Sequence, residues 1–155
     1  MAEQRTYDKF LEVTIGNYRP EQLLGQSKYG PIFLARSLEN DTRYILRFLA
    51  PSAELNAEAR MAYLGLFQQE ASRVTMLQHP HILPLIDYGN YHGMPYIVQP
   101  NIAIRTLRSQ LAKHGSPDLL TISHTLDHIT AALEYAQVPQ SLAQRWHTCW
   151  NALAG

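Results

Sequence analysis

Residues 23–35 read LLGQSKYGPIFLA, and the reading of this stretch decides the fold. Gly25 and Gly30 stand five positions apart with Ser27 between them, and an apolar run follows. Two glycines so placed inside a strand-like segment mark backbone that comes close to something else. The flanks are strand-like as well. YRPEQLLG leads in, GPIFLARSL leads out and TRYILRFLA comes next, with GQSKY and ENDT between them. Both connectors are rich in turn formers, so residues 18–50 are predicted to be a three-stranded antiparallel meander.

Further along, residues 53–77 are predicted to be helical. Leu66, Glu70, Val74 and Leu77 fall on one helical face, and Pro80 in HPHI breaks the pattern. ILPLIDYG and MPYIVQP read as two more strands joined by NYHG. TLRSQLAKHG reads as a short helix closed by Gly115. A longer helix is predicted over about residues 117–137, with Ile122, Leu126, Ile129, Leu133 and Ala136 as its apolar stripe. The fold class is therefore α+β: a five-stranded antiparallel sheet with one large helix, followed by a helical region. The expected division is a polar arm at 1–17, a sheet lobe at 18–101, a partial helical lobe at 102–138 and an amphipathic tail at 139–155.

Composition narrows the function classes. Charged residues make up 17% of the chain and hydrophobic ones 46%, as in a globular domain rather than a disordered one. Thirteen basic and thirteen acidic residues cancel, which argues against nucleic acid or an anionic membrane surface as partner. No apolar run reaches the length of about 18 residues that a membrane span needs. The start, MAEQRTYDKF, lacks the apolar core of a signal peptide. Cys149 is the single cysteine, so no intrachain disulfide forms, which suits a reducing cytosol. The expected location is cytoplasmic.

The motifs and their order resemble the amino-terminal lobe, and the first helices of the second lobe, of a eukaryotic-like serine/threonine protein kinase of the bacterial type. LLGQSKYGPIFLA stands where that family has its glycine-rich loop, G-x-G-x-x-G-x-V. YILRFLAPS stands at V-A-I-K, and Glu70 in FQQEASRVTMLQHPHILPLIDYG stands at the glutamate of the regulatory helix. MPYIVQPNIAIRTLRSQLAKHG matches the fifth strand, the hinge and the next helix, and ITAALEYAQ matches the long helix before the catalytic loop. The resemblance runs over residues 18–137. It implies a cleft in which loop backbone covers ATP phosphates and a strand lysine pairs with those phosphates and with the helix glutamate.

By the same resemblance, the nucleotide cleft is Leu24, Gly25, Ser27, Gly30, Ile32, Ile45, Arg47, Glu70, Gln99 and Ile102, and it is degenerate. Ser27 replaces the second glycine and restricts the loop. Ile45 replaces the small alanine that roofs the adenine pocket. Arg47 replaces the lysine, exchanging a compact ammonium for a longer planar fork. In a strand, Ile45 and Arg47 share a face. Glu70 lies between Leu66 and Val74 on an apolar face and needs a partner, and Arg47 is the expected one. After ALEYAQ the sequence reads VPQSLAQRWHTCWNALAG, and no H-R-D, D-F-G or A-P-E occurs in the 155 residues. Those motifs supply the base and magnesium ligands of phosphoryl transfer. No catalytic residue, no metal site and no cofactor are therefore expected, with ATP and Mg only if the cleft still binds them.

Other residues carry groups capable of chemistry. His124 and His128, four apart on a helix beside Asp127, have no H-E-x-x-H pattern, and a third ligand would have to be His147 or Cys149. They read as a solvated polar face. His79 and His81 read as packing and turn residues, and Asp87 and Asp118 as surface or capping groups. In the tail, Leu142, Trp146, Cys149 and Leu153 have helical spacing after Pro139 and Ser141. The expected function is that of a truncated, catalytically inactive kinase-like domain. It would bind a protein or itself through residues 118–155, or regulate an intact kinase. The alternatives are an ATP-binding kinase half completed by another chain, and a gene remnant without function.

Overall fold

The computed structural model describes residues 7–102 and 106–137. The chain divides into two compact units. One holds the described residues up to Leu77 and Pro84–Asn101; the other holds Gln78–Leu83 and the described residues from Ile102 onward.

The first unit is built on an antiparallel sheet. Strands β1 (Tyr18–Ser27), β2 (Gly30–Ser37), β3 (Arg43–Phe48), β4 (Asp87–Tyr91) and β5 (Met94–Pro100) are ordered β1-β2-β3-β5-β4. β1, β2 and β3 form the meander read from the sequence. Helix α1 (Ala57–Val74) lies between β3 and β4 in the chain. It starts later than the expected residue 53 because Asn56 caps it: its side-chain oxygen accepts the Ala59 N–H at 2.8 Å. β4 also starts later than its apolar run suggested, and continues through Asn90 and Tyr91. Its hairpin then turns at His92 and Gly93, which both have positive φ, 50° and 81°.

One sheet face is the core. Phe33, Ala35, Leu46, Phe48 and Val98 are wholly buried on it. Side chains of this size contribute about 1.5–3 kcal/mol each when fully buried. The cover comes from residues 7–17, and here the polar-arm expectation is corrected. Phe10 sits with its ring centroid 5.4 Å from Phe48 and 5.9 Å from Phe33, and Ile15 is fully buried. Ile15 and Tyr18 exchange backbone hydrogen bonds of 2.8 and 3.0 Å around Gly16, whose φ is +58°. The apolar residues Leu11, Val13 and Ile15 alternate with polar ones, the pattern of a half-buried extended segment. Burial raises the Tyr18 phenol above its usual pKa, and the Asp87 carboxylate raises it further.

The second unit contributes helices α2 (Leu107–His114) and α3 (Leu119–Ala136). Thr106 and Asp118 cap their starts, and Gly115, at φ +75°, closes α2. No residue of α2 or α3 is buried. The expected tail at 139–155 lies outside the described residues. Among the described residues no helix is long and apolar enough to cross a membrane.

Candidate functional site

The sheet face opposite the core carries the candidate cleft. Strand alternation turns Ile32, Leu34, Ile45, Arg47, Ile97 and Gln99 to this face, each half-buried while its buried neighbours face the core. Register then sets them in rows. Gly25 pairs with Ile32, Ile32 with Arg47, Arg47 with Ile97, and Ile97 with Tyr88. In the next row Gln22 pairs with Leu34, Leu34 with Ile45, and Ile45 with Gln99. Ile45 and Arg47 thus share a face. α1 reaches the far end of the first row, where Phe67 meets Tyr88 edge-on with centroids 6.2 Å apart.

The hairpin tip is closed by a side chain. β1 runs on to Ser27, leaving Lys28 and Tyr29 as the turn. The Ser27 hydroxyl donates to the Gly30 carbonyl at 3.1 Å and accepts the Tyr29 N–H at 3.2 Å. Ser27 is therefore a turn-closing residue, a role beyond the loss of a glycine. Gly30 has φ +140°, and a Cβ there would stand 3.0 Å from the Cβ of Phe48. Packing against β3 accounts for this glycine. Gly25 differs, since a Cβ there would meet nothing within 4 Å. Leu24, beside it, is 48% exposed.

The expected ion pair is not formed. Glu70 Oε1 accepts from Arg73 Nη1 at 3.2 Å, one helical turn away on α1. The Arg47 Nε is buried and has no hydrogen-bond partner. A local i,i+3 pair fixes two side chains on one rigid helix, whereas a cross-element pair must hold the longer Arg47 fork against a helix that has its own arginine. Arg73, the residue that takes the carboxylate, was missed in the sequence. Its three-residue spacing from Glu70 was the available signal.

The residues present fit a nucleotide only in part. The buried Arg47 Nε–H is a donor without a hydrogen-bond partner, and Gly25 borders open space. Against this, Ile45 sets a β-branched side chain in the adjoining row, and the Ser27 hydroxyl is committed to the turn. Ile102, the last expected cleft residue, is exposed and belongs to the second unit.

A charged cluster lies at the other end of the strands. Glu21 bridges Arg36 and Arg43, with the latter bond 2.7 Å, and Asp41 takes a second Arg36 nitrogen at 2.9 Å. These bonds hold the Glu21 carboxyl below its usual pKa, the Arg43 bond first. In the second unit, the His79 and His81 rings are packing groups, while His124 and His128 stand on α3. Among the described residues no group of three or more His, Cys, Asp or Glu side chains is placed to hold a metal ion.

No protein-family model matches the chain. Among curated proteins, the serine/threonine-protein kinase PknD of Mycobacterium tuberculosis is 29% identical over 123 residues, 78% of this chain and 18% of that protein. The serine/threonine-protein kinase pkn3 of Myxococcus xanthus is 31% identical over 131 residues, 83% of this chain and 23% of that protein. Among solved structures, the PknI kinase domain of Mycobacterium tuberculosis superposes with a TM-score of 0.68 at 24% identity. The match covers 81% of this chain and 50% of that one. The chain thus spans about a fifth of the length of these curated relatives.

Proposed function

Because the chain has the fold of the amino-terminal part of a protein kinase domain, and its relatives are bacterial serine/threonine kinases, we propose that it is a pseudokinase-like lobe. It works by binding protein or by regulating an intact kinase, and does not itself transfer phosphate. The observation that carries this reading is the Arg47–Glu70 separation. In the kinase mechanism the strand cation must pair with the helix glutamate for the phosphates to be held in place. Here Glu70 pairs with Arg73, and Arg47 stands unbonded at Nε. Ile45 and the committed Ser27 hydroxyl support the same conclusion. The 155 residues hold no H-R-D or D-F-G, so phosphoryl transfer would need carboxylates from outside them.

For the binding surface we favour the apolar face of α3. Ile122, Leu126, Ile129 and Leu133 are between 39% and 57% exposed there, along one stripe of a helix. Contiguous apolar surface of this kind marks interaction sites. The partner is a protein that lays an apolar face along α3, a second copy of this chain included.

A second reading, retained nucleotide binding, is favoured by the buried Arg47 N–H, which would donate to a phosphate oxygen. Melting the full chain with Mg-ATP, with ATP in chelator and with inorganic phosphate separates the two. No shift is expected at millimolar ligand. A ligand at a hundredfold excess over its Kd would stabilise by about 2.7 kcal/mol. A concentration-dependent rise that disappears in Arg47→Ala would replace the first reading with the second. Phosphoryl transfer to a peptide by this chain alone would overturn it outright.

A further inference from the structure

Four histidines gather where Gln78–Leu83 packs on α3, inside the second unit. The His81 and His128 rings stack face to face, with centroids 3.8 Å apart and planes 14° from parallel. His79 lies 5.4 Å from His81 and stacks on Tyr135 at 5.2 Å. His124 stands 6.5 Å from His128, one turn earlier on the helix. Two hydrogen bonds belong to the same contact. The Tyr135 hydroxyl accepts the Gln78 N–H at 3.2 Å, and His79 Nδ1 accepts the His81 N–H at 3.2 Å.

This geometry suits neutral rings. An accepting Nδ1 on His79 is an unprotonated one. Two imidazolium rings stacked at 3.8 Å would repel, because like charges at that distance disfavour the charged form. The arrangement does not suit a metal, since nearly parallel rings aim their in-plane lone pairs along parallel directions instead of at one ion. Among the described residues, no carboxylate is one of the groups that act on His81. His81 is held below its usual pKa by burial, then by His128, then by His79. Asp127 and Glu134 of α3, Asp118 at its cap, and Arg108, Lys113 and His114 of α2 are not among the groups that act on it.

We propose that His79, His81, His124 and His128 form a pH-sensitive clasp, which holds Gln78–Leu83 on α3 while its rings are neutral and releases the segment when they take up protons. The segment leads from the end of α1 into β4, so the clasp fixes a connection that both elements share in the chain. The sign follows from the lowered His81 value. The unfolded chain takes up its proton first, near pH 6.5, so the contribution of the clasp is complete above that pH. It is lost as pH falls through the lower folded value. This inference is independent of the kinase reading, because it rests only on contacts within the second unit.

The test is side-chain and amide NMR on the full chain, in chelator, from about pH 8 to about pH 5, the range in which histidine charges. His81 is expected to titrate below the ordinary value, and the Gln78 amide signal to move with the same midpoint. His128→Phe keeps a ring to stack but removes a proton acceptor, so the His81 midpoint should rise toward the ordinary value. If that variant fails to fold, His79→Gln is read instead, with a smaller upward shift expected at His81. A His81 midpoint at or above the ordinary value would overturn the proposal. So would a Gln78 amide that ignores it, or a pH response that chelator abolishes.

Discussion

The core face of the sheet and the apolar stripe of α3 are made of similar residues and end in opposite environments. Phe33, Leu46, Phe48 and Val98 are wholly buried, whereas Leu126 and Leu133 are 57% and 54% exposed. The difference lies in the cover. Residues 7–17 belong to the same unit as the sheet and close its face with Phe10 and Ile15. No described residue does this for the α3 stripe. Apolar patterning states that a face requires burial; it does not state which residues provide it. Among the described residues, the sheet face has its cover within its own unit and the α3 stripe has none.

The largest expected effect breaks or keeps this contrast directly. Phe10→Ala should cost about 3–5 kcal/mol, the range for deleting a buried phenylalanine. Leu126→Ala should stay within about 0.5 kcal/mol, as surface changes do. Urea denaturation of the full chain measures both. Comparable costs would mean that the stripe is covered in solution and that the contrast is false.

Two glycines sharpen it next. A Cβ at Gly89 would stand 2.6 Å from Cζ of Tyr96, inside the core of the first unit. Gly89→Ala should destabilise by about 1–3 kcal/mol, as overpacking does. Gly65, midway along α1, has nothing within 4 Å of the same added atom. Gly65→Ala should stabilise by about 0.5–1 kcal/mol, because glycine is a poor helix former. The same denaturation curves report both, and opposite signs are the expected result.

The two units should also fail at opposite ends of the pH range. Tyr18 and Tyr96 are held above the usual phenol value of 10.0, chiefly by burial and then by Asp87. Above that pH the unfolded chain loses phenol protons that the folded one keeps, so the first unit weakens as pH rises. In the second unit the Thr121 N–H and hydroxyl hold the Asp118 carboxyl below its usual 3.8. The cap is complete above that value, and α3 loses it as pH falls through the lower folded one. Amide signals followed by unit should show alkaline loss first in the sheet and acid loss first in α3.

Much of the fold was legible because strands and helices announce themselves by period and by their stops. The meander and the Gly115 stop are both readable in that way. The arm at 7–17 was not, because its buried residues are diluted by Lys9, Glu12 and Thr14, and only the alternation of Leu11, Val13 and Ile15 betrays it. The cleft face was legible in part. Period two placed Ile45 and Arg47 together, the family resemblance added Ile32 and Gln99, and register then added Leu34 and Ile97. The partner of Glu70 was not legible, because the family resemblance pointed across to Arg47 while the helix held a nearer cation. Ser27 likewise read as a missing glycine, since a side-chain bond to Gly30 and Tyr29 depends on turn geometry that spacing alone does not fix.

In this structure the cation of the strand and the carboxylate of the helix are uncoupled. A double-mutant cycle on stability, with Arg47→Ala, Glu70→Ala and both together, tests it most directly. A second cycle with Arg73→Ala provides the scale. An Arg73–Glu70 coupling of about 0.3–0.5 kcal/mol, typical of a helical pair, is expected, with an Arg47–Glu70 coupling near zero. An Arg47–Glu70 coupling above about 1 kcal/mol, larger than that of Arg73, would show an intact regulatory pair and contradict it.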